Sequence, residues 1–371
     1  MVYFDNAATS RPKPEAVLSA FVDFIQEVGA SPGRGSYSLG IQASRMLYQS
    51  RKTVTGFFGC PNKTNVVFTK NSTEAINLFF NGFLNEGDHV LISPFEHNAV
   101  LRPLHSLMQQ GKIQYEVFPE EVLQNPEAIQ KMFRPNTRLV AITLASNLTG
   151  QIVFNRDIAE VCKRNSIQVF VDASQGGGKM LVNMARDNVD FLAFTGHKDL
   201  LGLPGVGGLC SLEELSFKPL VQGGTGIHGE EYTNPAIYPD GYEAGTLNMP
   251  SIWALKTSLD YLSEHHTEIS TIENELMQHL ISGLTALPNI EVIRPDVARV
   301  PTICINVIGK PSSEVVSFLD QHGVCVRGGI HCAILAHKTI GTVKTGAVRI
   351  SLNSFNTHEE IDYLLKLLRE A

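Results

Sequence analysis

The sequence predicts an α/β protein with a large domain on a mainly parallel sheet and a smaller α+β domain at its carboxyl end. Between about residue 65 and residue 212, short apolar segments alternate with segments of helical spacing, as strand–helix–strand units require. Several of these strands are apolar throughout, which is typical of a sheet covered on both faces. After residue 250 the pattern changes to long helical segments followed by isolated strands and helices.

The elements of the large domain follow one another closely. In chain order the predicted strands are VVFT (66–69), DHVLIS (88–93), IQYEVF (113–118), RLVAITLAS (138–146), QVFVDAS (168–174), VDFLAFTG (189–196) and GVGGLCSL (205–212). The predicted helices between them are STEAINLFFNGFL (72–84), AVLRPLHSLMQQG (99–111) and RDIAEVCKRNS (156–166). This order favours parallel pairing with right-handed crossovers.

The carboxyl-terminal part has fewer strands. Long helices are predicted over 251–284, and they are followed by TICINVI (302–308), SSEVVSFLDQHG (312–323), AVRISL (347–352) and THEEIDYLLKLLREA (357–371), which alternate between strand and helix. Thr357 and Glu360 form a capping-box pair at the start of the last helix.

A chain of 371 residues is long for a single core. We therefore expect a large domain over residues 15–262. The small domain is expected to combine residues 1–14 with residues 263–371.

Composition narrows the class of protein. The net charge of −7 has no basic run, so nucleic acid is not expected as the main partner. Neither a secretory signal nor an apolar segment of membrane-spanning length is apparent, so we expect a cytoplasmic protein without a membrane partner. No CxxC pair occurs, so neither a metal site nor a redox dithiol is indicated. Free thiols, mostly in the core, are expected at Cys60, Cys162, Cys210, Cys304, Cys325 and Cys332.

Polar residues follow the predicted strands at the edge where open α/β sheets bind ligands. The helix start KNSTEAIN presents backbone N–H groups and hydroxyls, which suit a phosphate. The other strand-end candidates are His97, Asn147, Asp172, Gln175, Thr195, His197 and Lys198.

Each candidate has an ordinary explanation when it is taken alone. Ser72 or Thr73 would cap a helix, Asp172 would cap a turn, and Lys198 would be a surface residue. Together they are coherent, because pyridoxal phosphate uses all of them. A lysine amine bonds its aldehyde, a carboxylate pairs with its ring nitrogen, and N–H and hydroxyl groups bind its phosphate.

The segments around these residues resemble the cysteine desulfurases of the class V aminotransferase group. The similar runs occur in order over nearly the whole chain and are YFDNAATS, NSTEAIN, FEHNAV, SNLTG, VDASQ, TGHK, EAGT and RGGIHCA. The sequence looks most similar to the sulfur-mobilisation and selenocysteine-lyase-like subgroup. The resemblance implies the fold type I architecture of pyridoxal phosphate enzymes.

The resemblance also implies roles for the cofactor-binding residues. Lys198 would carry the cofactor, Asp172 would pair with its ring nitrogen, and Gln175 would bind its ring hydroxyl. His97 would stack on the ring and assist proton transfer. The phosphate would be bound by Ser72, Thr73, Thr195 and His197, together with Thr246 from a partner subunit, which implies a homodimer.

The substrate side is implied in the same way. Asn147 and Arg349 would hold the substrate carboxylate, since a guanidinium forms a bidentate pair with a carboxylate. Arg327 would line the same pocket.

Cys332, in VRGGIHCAILAH, is the candidate nucleophile. The two glycines permit a tight backbone, and a predicted helix start would lower the pKa of the thiol. Taken alone, Cys332 is as easily a small packed residue. The resemblance favours the nucleophile and implies that L-cysteine gives L-alanine and a persulfide on Cys332. The sulfur would then pass to an acceptor, which can be a protein.

Other activities stay open at this point. Selenocysteine lyase would use the same residues on L-selenocysteine, whereas an aminotransferase or epimerase of this fold would not need Cys332. A non-catalytic cofactor-bound scaffold is disfavoured by the intact set of residues. Two departures from the related sequences stand out: Ile330 replaces a second histidine, and the chain is compact, as if a partner-docking element were missing.

Overall fold

A computed structural model describes residues 1–33 and 35–371. The helices are α1 (Glu15–Asp23), α2 (Ser38–Phe57), α3 (Ser72–Phe83), α4 (Asn98–Gln109), α5 (Arg156–Arg164), α6 (Met249–Thr285), α7 (Ser312–Gln321), α8 (Ile334–Ile340) and α9 (His358–Glu370). The strands are β1 (Val2–Tyr3), β2 (Val66–Thr69), β3 (Asp88–Ile92), β4 (Ile113–Val117), β5 (Thr137–Thr143), β6 (Gln168–Asp172), β7 (Phe191–Thr195), β8 (Gly207–Ser211), β9 (Ile290–Ile293), β10 (Thr302–Val307), β11 (Val324–Cys325), β12 (Arg327–Gly329) and β13 (Ala347–Ser351).

The large sheet has seven strands in the order β2-β8-β7-β6-β5-β3-β4. The five adjacent strands β7, β6, β5, β3 and β4 pair in parallel, whereas β8 is antiparallel to both of its neighbours. Successive residues of β3 enter different cores, with Leu91 on one face and Val90 and Ile92 on the other. Burial on both faces explains why the strands are apolar throughout. The prediction of a mainly parallel sheet is confirmed.

The parallel strands end at a common edge. Thr143 at the end of β5 pairs with Asp172 at the end of β6, and Asp172 pairs in turn with Ala193 of β7. Residues that follow these strands are therefore neighbours in space, although they are far apart in the chain.

The second sheet is antiparallel, in the order β12-β13-β10-β9. Its core includes Phe4 and side chains of α6, α7 and α9. The amino-terminal segment lies beside this sheet, because β1 pairs in parallel with β11 and Asp5 bridges to Ser351. The capping box of Thr357 and Glu360 is present at the start of α9, as predicted.

The helix α6 connects the two parts of the molecule. It is a single helix of 37 residues where several were predicted. Leu259 and Leu262 pack in the core of the large sheet, and Leu276 and Leu280 pack in that of the small sheet. Residue 262 thus lies inside a continuous helix, and the domain division at this residue stays a prediction. Within the described chain, no helix has the length and apolar character needed to cross a membrane.

Candidate active site

A cavity of about 210 Å³ opens at the carboxyl edge of the large sheet. The strand-end candidates and both hydroxyl residues of the α3 start contribute to its wall. The predicted residues that line it are Ser72, Thr73, His97, Asn147, Asp172, Gln175, Thr195, His197 and Lys198. The topology thus brings together residues that the sequence placed only at separate strand ends.

Asp172 is the buried carboxylate of this cavity. Its Oδ1 accepts hydrogen bonds from Ser174 N at 2.9 Å, Ser174 Oγ at 2.6 Å and Ser72 Oγ at 3.3 Å. Within the described chain, no hydrogen bond is made to Oδ2. One oxygen is therefore anchored, and the other is free to pair with an N–H group in the cavity. Ser174 was not predicted, although its position two residues after the aspartate is typical of such a local bond.

Lys198 lies in the turn after β7 and is half-buried. Burial lowers the pKa of its amine, while the negative charge of Asp172 opposes that shift. Segment 5–13 supports the turn, since Ser10 Oγ donates to Lys198 O at 2.9 Å and Lys13 Nζ donates to His197 O at 2.8 Å. An amine with a lowered pKa on a fixed backbone is suited to covalent catalysis.

The start of α3 has the features of an anion site. Asn71 caps the helix by accepting from Glu74 N at 3.0 Å, so the alternative of a cap by Ser72 or Thr73 is wrong. The hydroxyl of Thr195 is buried and has no hydrogen-bond partner within the described residues. A buried hydroxyl without a partner beside a helix amino terminus fits a bound phosphate.

Two histidines of the cavity are neutral at pH 7. Burial and the charge of Lys198 lower the pKa of His97 to about 4. Burial, with the charges of Lys198 and Lys13, lowers that of His197 to about 4. His97 also caps α4, where its Nδ1 accepts from Ala99 N at 3.0 Å. Its proton is therefore on Nε2.

Glu96 is a second acid beneath this edge that was not predicted. It is fully buried, and its Oε1 accepts from Ser93 Oγ at 2.5 Å and from Thr143 N at 2.6 Å. Its Oε2 has no partner within the described chain. Burial raises the pKa of this carboxyl to about 8, so it is largely protonated at neutral pH. The available signal was an acidic residue in the apolar stretch SPFEHNAV.

Two amide side chains of the wall each use one of their two N–H groups within the described chain. Gln175 Nε2 donates to Ala7 O at 2.8 Å. Asn147 Nδ2 donates to His331 O at 2.7 Å, and its Oδ1 is buried without a partner within the described residues. An oxygen acceptor does not attract a carboxylate. Nδ2 carries a second N–H, however, so Asn147 ties the cavity wall to the loop that carries Cys332, and its contact with the substrate carboxylate stays a prediction.

The Cys332 loop, residues 330–333, joins β12 to α8. Its backbone is left-handed at His331 (φ 55°) and at Cys332 (φ 56°), which is rare for residues other than glycine. Cys332 O accepts from Asn98 N at 2.9 Å, next to His97 of the cavity. The thiol is exposed, and α8 begins after Ala333 as its N-cap. The other cysteines are free thiols, and four of them are buried, as predicted.

The Cys332 loop also has a buried pair of imidazoles. His331 donates from Nε2 to Arg327 O at 3.0 Å, and burial with the charge of Arg349 lowers its pKa to about 3. The ring of His337, in α8, lies 6.1 Å away and nearly parallel to it. Ile330, by contrast, is exposed. The second imidazole near His331 therefore comes from α8 and not from position 330.

Arg349 of β13 joins the Cys332 loop to the amino-terminal segment. It is buried, donates from Nη1 to Asn147 O at 2.8 Å and from Nη2 to Asp5 Oδ1 at 2.5 Å. Arg327 of β12 lies opposite Arg349 in the antiparallel register of β12 and β13. Asp5 was not predicted as a site residue, although it lies in the run YFDNAATS that carries the resemblance.

Thr246 lies outside this cavity. It is exposed and lines a second cavity with Lys70, Tyr242 and Leu247, among others. A contribution to a partner's phosphate site stays a prediction.

A mainly parallel sheet that gathers a lysine, a carboxylate and a helix-terminal anion site at its carboxyl edge is the architecture of fold type I pyridoxal phosphate enzymes. The family model of aminotransferase class-V matches residues 2–364, and the chain belongs to this family. Its members depend on pyridoxal phosphate. The predicted fold class and family are confirmed.

Similar proteins extend over the whole chain. A probable cysteine desulfurase of Methanothermobacter thermautotrophicus is 32% identical, covering 100% of this chain and 94% of its own length. A cysteine desulfurase of Yersinia pestis is 30% identical, covering 98% and 92%. The apo structure of the cysteine desulfurase from Thermococcus onnurineus NA1 has a TM-score of 0.90 at 30% identity, covering 100% and 94%. The Escherichia coli cysteine desulfurase CsdA has the same fold, with a TM-score of 0.88 at 24% identity, covering 99% and 94%.

Proposed function

We propose that this protein is a pyridoxal-phosphate-dependent cysteine desulfurase that converts L-cysteine to L-alanine and leaves a persulfide on Cys332. One arrangement carries the proposal: Lys198 and Asp172 share a cavity whose wall is hydrogen-bonded to the Cys332 loop. Full-length similarity to proteins named cysteine desulfurases supports it. An aminotransferase or an epimerase would leave the exposed thiol of Cys332 without a role.

The cavity residues fit the cofactor. The free Oδ2 of Asp172 would pair with the ring nitrogen, and the unpartnered hydroxyl of Thr195 with the α3 start would bind the phosphate. Gln175 retains an oxygen that would accept from the ring hydroxyl. Lys198 would hold the cofactor at its aldehyde. When bound, pyridoxal phosphate supplies an electron sink that stabilises negative charge on the α-carbon of an amino acid.

The protein side of proton transfer falls to Lys198. Because burial lowers the pKa of its amine, Nζ is able to accept the α-proton of the substrate and to return a proton at the end. His97 is neutral with its proton on Nε2 and would stack on the ring from the cavity wall.

Cys332 would receive the sulfur. Its thiolate attacks the substrate sulfur, a sulfur–sulfur bond forms, and the carbon–sulfur bond breaks. The electron pair of that bond stays on carbon, which takes up a proton to become the methyl group of alanine. The exposed position of Cys332 would then let an acceptor thiol remove the outer sulfur by exchange.

We also infer a homodimer in the cytoplasm. Thr246 is exposed outside its own cavity, and exposed apolar side chains precede it at Leu220, Val221 and Ile237. Six free thiols suit a reducing compartment. Light scattering of the active protein tests the dimer, and a monomer that turns over L-cysteine would refute it.

The central test uses cofactor-loaded protein incubated with L-cysteine. Wild-type protein should release alanine and carry one additional sulfur on the Cys332 peptide by mass spectrometry. Cys332→Ser should still change the visible spectrum on addition of L-cysteine, but it should release almost no alanine. Cys325→Ser is the matched control, because Cys325 is a partly buried thiol of β11 outside the Cys332 loop, and this variant should retain activity.

L-selenocysteine is assayed in parallel, because the weaker carbon–selenium bond can break without a thiolate. Retained selenocysteine activity in Cys332→Ser, with loss of cysteine activity, would agree with the proposal. Full cysteine activity of Cys332→Ser, or a persulfide on Cys325 or Cys60, would contradict it.

A further inference from the structure

The arginine expected to bind the substrate carboxylate already holds a carboxylate of its own chain. Asp5 Oδ1 accepts from Arg349 Nη2 at 2.5 Å, and the side chains of Arg349 and Asp5 are 2% and 21% exposed. Arg349 Nη1 donates to Asn147 O at 2.8 Å. Its Nε is buried and has no partner within the described residues. The Nε–H is therefore a buried donor that no described group satisfies, and Asp5 is the more exposed member of the ion pair.

The charges around this pair are unbalanced. Arg327 lies opposite Arg349 in the antiparallel register and forms no ion pair with any described acidic side chain. Two guanidinium groups with one carboxylate leave a net charge of +1. A single further carboxylate would balance it.

We propose that Asp5 occupies Arg349 as an exchangeable stand-in for the substrate carboxylate and thereby weakens amino-acid binding. The inference rests on the proposed function, in which Arg349 receives the substrate carboxylate. On binding, the substrate takes Arg349 Nη2 together with the unused Nε, and Asp5, the more exposed partner, moves into solvent. Without a substrate, Asp5 keeps the buried guanidinium paired.

The backbone connects the displacement of Asp5 to the turn after β7 that carries Lys198. Asp5 begins the same segment, 5–13, whose Ser10 and Lys13 hydrogen-bond the turn that carries Lys198. A carboxylate arriving at Arg349 thus displaces the end of the segment that supports this turn.

The test measures affinity for the product, L-alanine, and for ethylamine, which lacks the carboxylate. Cofactor-loaded wild-type, Asp5→Asn and Asp5→Glu proteins are titrated, and binding is followed by the visible absorption of the cofactor. Asp5→Asn should bind L-alanine about fivefold more tightly, because a neutral amide oxygen competes for Arg349 less strongly than a carboxylate. Its affinity for ethylamine should not change, and Asp5→Glu should bind L-alanine like the wild type.

Glu120→Gln is the matched control, because it removes a carboxylate from the ion pair with Arg294, outside the cavity. This variant should leave the affinity for L-alanine unchanged. Asp5→Ala replaces Asp5→Asn if the latter does not fold, and failure of both to fold would show a purely structural carboxylate and overturn the proposal. Unchanged or weaker L-alanine binding, or an equal gain for ethylamine, would also overturn it. If the wild type binds L-alanine but makes none from L-cysteine, the proposed function fails instead, and the titration still decides the role of Asp5.

Discussion

The floor of the cavity, which is formed by Asp172 and Lys198, and the Cys332 loop belong to one site but are built differently. On the floor, Asp172 ends β6 and Lys198 follows β7, so the register of one sheet sets their separation. The Cys332 loop has left-handed backbone at His331 and Cys332, and its thiol is exposed. It is attached to the part of the molecule around the large sheet through Asn147 and Asn98.

This difference indicates a division of work. The floor has to keep charges fixed, because a buried carboxylate or amine acts only when its surroundings do not rearrange. The Cys332 loop has to take sulfur from a buried substrate and present it outside, so a few hydrogen bonds on a strained backbone suit it better than a sheet. Changes in the floor should therefore alter the chemistry, and changes in the Cys332 loop should alter its position.

The largest effect is expected from the floor, at Asp172. Asp172→Asn keeps the shape of the side chain but removes the charge opposite the proposed ring nitrogen. Alanine release per bound cofactor should fall about 10²- to 10³-fold, as when a preorganised electrostatic group is lost.

Asp190→Asn is the matched control. Asp190 Oδ2 accepts from Val169 N at 2.7 Å near the opposite end of β6. This variant should retain turnover. Near-normal turnover in Asp172→Asn would refute the role of Asp172 as the partner of the ring nitrogen.

The pH dependence of stability tests whether Glu96, beneath the floor of the cavity, is protonated in the folded protein. Its pKa is raised from 4.5 to about 8, so the folded protein holds a proton that the unfolded chain has lost between these values. This contribution to stability is complete below pH 4.5 and is lost as the pH rises towards 8, by an amount on the order of a few kcal/mol. Between pH 5 and pH 8, the melting temperature of Glu96→Gln should therefore fall by less than that of the wild type. Parallel pH profiles for the two proteins would show that Glu96 is ionised in the folded state.

Asn147 tests the attachment of the Cys332 loop. Asn147→Ala removes the hydrogen bond to His331 O, worth about 1 kcal/mol. Alanine release should fall by roughly fivefold, backbone amides of the Cys332 loop should exchange faster, and cofactor content should not change.

Asn165→Ala is the control, because it removes a similar bond, from Nδ2 to Val161 O at 2.8 Å, far from the cavity. If Asn147→Ala bound less cofactor while amide exchange in the Cys332 loop stayed slow, Asn147 would act in cofactor binding and not in holding the loop.

The smallest effect is expected from the backbone just before the Cys332 loop. Gly329 has φ 105°, and a Cβ there would meet nothing within 4 Å. Gly329→Ala should thus cost only backbone strain, about 1–2 kcal/mol in the free energy of unfolding.

Gly56→Ala, in α2, is the matched control with equally open space and no positive φ. It should stabilise the protein by up to about 1 kcal/mol. Equal effects of the two substitutions in chemical denaturation would show that the backbone at Gly329 is not strained.

The sequence by itself determined the seven strands of the large sheet, their end residues and the family. Apolar segments of strand length identify a sheet buried on both faces, and the topology of such sheets brings their carboxyl ends together. His97, Asp172 and Lys198 could therefore be assigned to one site from local patterns alone. The same patterns did not reveal the antiparallel direction of β8 or the continuity of α6, because both depend on how the elements pack.

Only the tertiary structure decided which groups satisfy one another. The contacts of Asp5 with Arg349 and of Asn147 with His331 span 344 and 184 residues of sequence. No local periodicity encodes such contacts, because each depends on where the small sheet and the amino-terminal segment pack against the large one. Burial without a partner among the described residues, as at Thr195 and at Glu96 Oε2, likewise exists only in the folded chain. The sequence names the reacting groups, whereas packing decides which of them are charged, which are already paired and which are free to act.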